Sequence, residues 1–291
     1  MMRVIKAHAK VNLMLHVTGK LPDGYHALQS VFAFTGLTDE ITFEESSSTA
    51  VVYTGDYAEA IPVDDDSVTK ALAWYFTYTG LPVRHYRVQV QKNIPTAAGL
   101  GGGTSDAAAV LAWLYQHDNA KPEGGSPGDF IKASGLLGAD VPVSLAFHLG
   151  LGKIFWVEGS GKEGDIIPLM PKNLSRQLVL VNPNVRLSTR DVFAELKGRY
   201  DEKQSSPDVL TDAFMQQTRN ILQAPALSLC PDIPKIFMVF MLSTAYKYFR
   251  MSGSGATCFA VFRNKSMAQA MADKIAENNR GWWVAKTEII V

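Results

Sequence analysis

The segment Ile94-Pro95-Thr96-Ala97-Ala98-Gly99-Leu100-Gly101-Gly102-Gly103-Thr104-Ser105-Asp106 constrains this chain more than any other. Before it, Tyr86-Arg87-Val88-Gln89-Val90-Gln91 alternates apolar and polar residues with the period of a half-buried strand. After it, Ala107 to Tyr115 is rich in Ala and Leu, both strong helix formers. Four glycines within five residues therefore stand in a strand-to-helix turn. Glycine reaches positive φ and lets a bulky anion approach the main chain. The helix that follows offers free N–H groups and a partial positive charge, a favourable place for phosphate. Thr104 and Ser105 set hydroxyls at that mouth, where one can cap the helix and the other can face a phosphate or its magnesium. A plain spacer turn needs neither Pro95 nor an ordered helix directly behind it. No Gly-Lys-Ser/Thr closes the segment, so it is not a P-loop. No acidic residue ends a strand about 20 residues later, as the dinucleotide fingerprint requires. A different glycine-rich phosphate loop remains, running from Pro95 to Ser105.

The rest of the composition narrows the class. The chain has 291 residues, 47% of them hydrophobic, enough for one large domain or two modest ones. Its 28 basic and 28 acidic residues balance, so the net field favours neither nucleic acid nor an anionic membrane. Cys230 and Cys258 lack metal-ligand spacing, and the six histidines form no zinc pattern. The N-terminus runs straight into a strand pattern without a signal-peptide core. No apolar run reaches the ~20 residues needed to cross a bilayer. These features lead us to expect a cytoplasmic protein acting on a small molecule.

Along the chain the pattern predicts an α+β protein. Strands are expected over 3–17, 28–34, 40–43, 86–91 and 149–157, with helices over 68–78 (capped by Ser67), 107–115 and 127–136 (capped by Ser126). A loop is expected over 118–128. The character changes near residue 157, which divides the chain into 1–157 and 158–291. The second part reads as strand 177–181, helices 189–196, 207–217 and 231–243, strands 246–251 and 256–262, helix 266–278 and strand 282–291. Without the inserted helices near 190 and 210 the order is β-α-β-β-α-β, the split arrangement of a ferredoxin-like sheet with helices on one face.

Several residues stand out chemically. Lys10 interrupts the apolar strand between Ala9 and Val11, either as a solvated or snorkelling lysine or as a site residue. Asp140, in Gly138-Ala139-Asp140-Val141-Pro142, is either a helix cap or a carboxylate with work to do. A phosphoryl-transfer site needs such a pair: a carboxylate to orient and deprotonate an attacking hydroxyl, and a lysine to hold that carboxylate ionised and neutralise developing charge. Tyr25-His26 lies in a turn after Asp23-Gly24. It is either packing and surface, or an aromatic platform with an imidazole hydrogen bond. Phe193 suits burial on its helix or a partner platform. Met251-Ser252-Gly253-Ser254-Gly255-Ala256 is a glycine-rich turn between strands, and the stretch from Gly159 to Asp165 reads as a hairpin turn.

With these stretches assembled, the sequence resembles the GHMP kinase superfamily. Three motifs occur in order: Ala9-Lys10-Val11-Asn12-Leu13, then Ile94 through Ala108, then Ser252-Gly253-Ser254-Gly255-Ala256. Within the superfamily it is similar to the 4-diphosphocytidyl-2-C-methyl-D-erythritol kinase family, through Asp23-Gly24-Tyr25-His26, Leu137 to Pro142 and the weaker Arg219-Asn220. The resemblance runs from residue 5 to about 262. It implies a ribosomal-protein-S5-domain-2-like ATP domain followed by a ferredoxin-like domain. It also implies ATP-dependent phosphorylation of the 2-hydroxyl of the cytidine-diphosphate-linked methylerythritol. On the same ground Asp140 is the base and Lys10 its charged partner. Pro95, Thr96, Ala97, Ala98, Gly99, Leu100, Gly101, Gly102, Gly103, Thr104 and Ser105 wrap the ATP phosphates. Asn12, Tyr25 and His26 line the substrate site, His26 reading the cytosine edge, and Phe193 sandwiches the base against Tyr25. Mg2+ accompanies ATP, with Thr104 or Ser105 as a contact and no carboxylate assigned as its ligand. Thr104 stands where Ser is more usual, Ser67 where Asn often lies near adenine, and Ile221 where an acidic residue is common. A mevalonate- or homoserine-type kinase would share the glycine loop without needing Tyr25, His26 and Phe193. A catalytically silent nucleotide-binding protein would not need Lys10 and Asp140 together. Monomer and homodimer both stay open.

Overall fold

The computed structural model describes residues 3–22, 24–61, 66–117, 126–160 and 164–291. Asp23, residues 62–65, the first part of the expected 118–128 loop, and the centre of the 159–165 turn lie outside the described residues.

Two sheets organise the chain. The first is six-stranded. Its spine is β2 (His26–Glu45), paired along one edge with β1 (Arg3–Lys20). On the other edge β4 (Tyr86–Gln91) takes the Glu40 end and β5 (Ile154–Gly159) the Leu28 end. Beyond them lie β3 (Ala50–Thr54), parallel to β4, and β6 (Gly164–Pro168), antiparallel to β5. The sequence change near 157 thus falls inside β5, and the first sheet continues through β6 because that hairpin pairs back onto β2. β2 also runs unbroken where two shorter strands are expected, since Asp39, which interrupts the apolar alternation, is itself buried.

Helices cover one face of this sheet: α1 (Ser67–Thr79), α2 (Gly102–His117), α3 (Pro127–Ala133) and α4 (Val141–His148). Asp66, not Ser67, caps α1, accepting from the Thr69 N–H at 2.8 Å. Ser126 and Asp129 form a reciprocal capping box at α3, with Pro127 at the first helical position as expected. α3 gives way to a short 3-10 turn over Ser134–Leu137. The expected strand over 149–157 starts only at Ile154, because α4 and a turn at Gly150, with φ of 82°, occupy the stretch before it.

The second sheet is four-stranded, built from β7 (Gln177–Asn182), β8 (Tyr246–Met251), β9 (Cys258–Phe262) and β10 (Trp283–Glu288). Its order β10-β7-β9-β8, antiparallel throughout, is the ferredoxin-like arrangement. Between β7 and β8 lie α5 (Thr189–Ala194), α6 (Asp212–Gln217), α7 (Gln223–Leu229) and α8 (Asp232–Met241), and α9 (Lys265–Asn278) precedes β10. α6 is shorter than the expected 207–217 helix, starting at its Thr211 cap, and α7 escapes the sequence pattern because Pro225 lies within it. Strand alternation divides the second sheet's faces. Val179 and Val181 face a core with α8 and α9, whereas Leu178 and Leu180 meet Val11, Leu13, Val31 and Ala33 of the first sheet. Ile94, Ala98 and Leu100 join that inter-sheet core. The glycine loop is therefore seated at the seam between the sheets. Among the described residues no single helix is long and apolar enough to cross a membrane.

Candidate active site

Lys10 and Asn12 share one side of β1, two residues apart. The β1–β2 register shifts between His8 and Lys10 and again between Asn12 and Met14, so Leu13 and Met14 are both fully buried instead of alternating. Lys10 is 4% exposed, its Nζ donating to Asn12 Oδ1 at 2.6 Å and standing 3.1 Å from Asp140 Oδ2. The ring of Phe32 lies beneath the ammonium at 5.0 Å, a cation–π contact that partly replaces lost water. Asn12 donates through Nδ2 to Ser30 Oγ, and Ser30 donates to the Met14 carbonyl. This orientation fixes Oδ1 toward Lys10.

Asp140 occupies the position before α4, yet its side chain makes no capping bond. The cap reading from sequence therefore does not describe it. The α4 backbone is served instead by the Asp140 carbonyl, which accepts from the Ser144 N–H, and by the Gly138 carbonyl, which accepts from Val141. The carboxylate is left facing Lys10 with its side chain 33% exposed.

The glycine loop closes over this pair. The Lys10 N–H donates to the Leu100 carbonyl at 2.9 Å, joining β1 to the loop. Gly101 has φ of 68°, and a β-carbon there would stand 3.0 Å from the Lys10 side chain. Gly99, with φ of 76°, abuts the Ser252–Gly255 turn between β8 and β9. Ser252 Oγ donates to the Gly99 carbonyl and accepts from the Asn12 N–H, while the Thr257 N–H donates to Ala98. Asn220 holds that turn in shape by donating to the Met251 and Gly253 carbonyls, both at 2.8 Å. The first bond of α2 runs from the Ser105 N–H to the Gly101 carbonyl. The N–H groups of Gly102, Gly103 and Thr104 thus have no partner within the helix, and they are the ones positioned to meet an anion. Thr104 is half-buried at this mouth. Ser105 is not there: it is fully buried, its Oγ 3.2 Å from Nε2 of His148. Burial, with His8 and Lys153 nearby, pushes the His148 imidazole down to about 3.

A cavity of about 880 Å3 runs from the glycine loop across Lys10, Asn12 and Asp140 to a wall of aromatic residues. Ala97, Gly99 and Gly101 line its loop end, and Tyr25, His26 and Phe193 its far end. Pro95, Thr96, Ala98, Leu100, Gly102, Gly103 and Thr104 do not line this cavity. Tyr25 is 47% exposed. Phe193 is half-buried, and its ring lies 4.9 Å from that of His26, tilted by 33°. Burial lowers the His26 pKa and nearby Lys20 adds to the effect, which favours a neutral imidazole able to donate on one side and accept on the other. Sequence reasoning missed Tyr200, whose ring lies edge-on to His26 at 6.3 Å, and the cations Lys20, Arg190 and Lys197 on the same wall. Nothing in the local pattern marks Arg190, Lys197 or Tyr200, since only the fold brings residues 187–200 over β1 and β2, and Lys20 reads as an ordinary charge at the end of its strand.

A two-sheet scaffold holding a glycine loop, a lysine and a carboxylate around one cavity defines a small-molecule kinase of the GHMP type. The GHMP kinase N-terminal domain model matches residues 66–145, and the GHMP kinase C-terminal model residues 209–281. The chain is 35% identical to the 4-diphosphocytidyl-2-C-methyl-D-erythritol kinase of Cereibacter sphaeroides (strain ATCC 17029), over 98% of each chain. It is 37% identical to the enzyme of that name from Paracoccus denitrificans, covering 96% of this chain and 94% of the relative. A crystal structure of 4-(cytidine 5'-diphospho)-2C-methyl-D-erythritol kinase superposes with a TM-score of 0.73 at 28% identity, covering 99% of both chains. The chain belongs to the 4-diphosphocytidyl-2-C-methyl-D-erythritol kinase family, and it is accordingly an ATP-using kinase.

Proposed function

We propose that this kinase transfers the γ-phosphoryl group of ATP to the 2-hydroxyl of 4-diphosphocytidyl-2-C-methyl-D-erythritol, in non-mevalonate isoprenoid precursor synthesis. The observation that carries the reading is the 3.1 Å contact between Lys10 and Asp140, set in one cavity between the glycine loop and the aromatic wall. Asp140 takes the proton of the acceptor hydroxyl as its oxygen bonds to the γ-phosphorus. The bond from that phosphorus to the β–γ bridging oxygen breaks, and its electron pair leaves with ADP. Lys10, 3.1 Å from the carboxylate, holds it in place and offsets the charge that develops on the transferring group. Asn12 steers Lys10 through its Oδ1.

The Pro95–Ser105 loop holds the ATP phosphates through backbone N–H groups, with the half-buried Thr104 at its helix end and the Ser105 hydroxyl turned inward beside His148. The base binds at the far end of the cavity, stacked among Tyr25 and Phe193, with His26 reading its edge. Because His26 lies against Phe193 in this structure, a base sandwiched by Phe193 displaces that imidazole from the ring face. Among the described residues no cluster of three or more His, Cys, Asp or Glu is suited to a metal. Magnesium would enter with ATP, binding through one or two protein oxygens plus substrate phosphates. Thr104 would offer a hydroxyl at the helix end of the loop, and the ion would neutralise phosphate charge.

The test is ATP consumption by the purified protein with magnesium, offered the cytidylyl compound, mevalonate or homoserine. Turnover confined to the cytidylyl compound is the expected result. Turnover with another alcohol would keep the Lys10–Asp140 chemistry and discard the base site. ATP binding without any turnover would point to a silent relative.

A further inference from the structure

Behind the glycine loop lies an ionic cluster that the chemistry above does not use. Asp39 on β2, Lys92 at the end of β4 and Asp106 in α2 are 0%, 1% and 0% exposed. The Nζ of Lys92 donates to Asp106 Oδ2 at 2.6 Å and also to Asp39 Oδ2. The other oxygen of Asp39 accepts from the backbone N–H groups of Asn93, at 2.6 Å, and Ile94, at 2.8 Å. A β-carbon on Gly102 would stand 3.1 Å from Ile94 and 3.5 Å from Asp39 Oδ2, so the first turn of α2 rests directly on this point. None of the three charged residues lines the cavity.

Burying ionisable groups is expensive, several kcal/mol per ion after relaxation, and well-packed apolar side chains often hold a core as firmly; burial pushes the Asp106 carboxyl up to about 7 even with Lys92 beside it. What an apolar filler cannot supply is direction. A carboxylate that accepts from two successive N–H groups fixes how the Asn93–Ile94 backbone leaves β4. A lysine bridging that carboxylate to Asp106 fixes how far the start of the loop lies from the helix that ends it. Both ends of the stretch from Pro95 to Gly101 are thereby tied to one buried point on β2. Its middle is tied separately, by Ser252 and Thr257 to Gly99 and Ala98.

We propose that Asp39, Lys92 and Asp106 are positioning residues that pre-form the phosphate loop, holding its two ends in register before the nucleotide arrives. The loop then gives up little conformational freedom on binding, and its free N–H groups already point where phosphate oxygens will lie. The cluster acts on the nucleotide side: Asp39 stands toward the Glu45 end of β2, whereas the β2 residues of the aromatic wall, His26 and Leu28, stand at its opposite end. This inference rests on the assignment of ATP phosphates to the Pro95–Ser105 loop.

The experiment has two arms. In the wild-type protein, amide hydrogen exchange is followed with and without a non-hydrolysable ATP analogue. The Asn93 and Ile94 amides are expected to be protected already in the free protein and to change little on binding, while those of Gly102 to Thr104 become protected only with the analogue. Protection of Asn93 and Ile94 that appeared only with nucleotide would overturn the proposal. An analogue that bound without shielding Gly102 to Thr104 would remove the loop assignment, and the clamp with it. In the second arm, Asp106→Asn keeps the shape and removes the charge. A Kd for the analogue raised at least tenfold, with the Kd of the acceptor within twofold of wild type, is the expected split. A folded variant that binds the analogue as wild type does, or that loses both ligands equally, would sink it. Should the variant not fold, the wild-type exchange arm decides alone.

Discussion

A β-carbon on Gly99 would stand 2.5 Å from the carbonyl oxygen of Ser252 and 3.0 Å from that of Gly255, so two glycine turns 153 residues apart in sequence meet backbone to backbone. This contact joins the two sheets at the active site. Gly99→Ala carries a left-handed φ, a cost of roughly 1–2 kcal/mol for any L residue, and adds overpacking against a carbonyl that has no flexible end to move. We expect thermal unfolding to show a loss of at least ~2 kcal/mol from these two terms together, with weakened nucleotide binding. A variant as stable as wild type, with unchanged ATP affinity, would show that the two turns do not depend on their contact.

The Asp140 side chain spends no hydrogen bond on its helix, so replacing it tests chemistry with little cost to folding. Asp140→Asn is expected to lower turnover at least ~100-fold, the range for losing a general base, with ATP still bound. Near-wild-type turnover in the folded variant would take Asp140 out of that role.

The His26 ring stands between Phe193 and Tyr200, which on the proposed function is the acceptor end of the cavity. His26→Ala should weaken acceptor binding by roughly 1–3 kcal/mol, as expected for a buried polar partner, and leave ATP affinity unchanged. Titration calorimetry with each ligand separates the two. Equal losses for both ligands would make the imidazole a structural element.

The chemistry-bearing stretches were legible because each satisfies a local rule. The strand over 86–91 alternates, the glycines permit positive φ, and Ala and Leu propagate the helix behind them. The ferredoxin-like sheet was legible for the same reason, each of its strands being a short apolar run between turns. What the sequence hid is long-range. Lys10 reads locally as a solvated or edge lysine; the family resemblance paired it with Asp140, and the fold sets the two 3.1 Å apart with Phe32 beneath. Asp140 reads as a cap, and nothing local says that its carboxylate turns away from the helix. Asp39 makes β2 look like two strands, because a buried charge is indistinguishable from a turn residue until its partners Lys92 and Asp106 are known. Asp106 did carry a signal of its own, a carboxylate set against a run of alanines in a buried helix. The 187–200 wall is beyond local rules altogether: Tyr200 meets His26 only through the path of the chain across β1, where the Asp201 N–H donates to the Val17 carbonyl.

His148 supplies a pH prediction whose sign can be worked out. Its imidazole ordinarily titrates near 6.5, but burial beneath the loop helix, with His8 and Lys153 adding repulsion, holds it down to about 3 in the folded protein. Between these two values the unfolded chain binds a proton at this residue and the folded chain does not. Stability therefore falls as pH drops from about 6.5 toward about 3, at up to ~1.4 kcal/mol per pH unit for one proton, and this contribution is flat above 6.5. His148→Gln removes the titration and keeps a polar group beside Ser105 Oγ. Urea unfolding across pH 4 to 8 should then show a shallower acid limb for the variant, with the two curves running parallel above about pH 7, past the unfolded-state titration. Acid limbs of equal slope would mean that the folded imidazole takes up its proton at the same pH as in the unfolded chain, and that the Ser105–His148 contact reaches solvent.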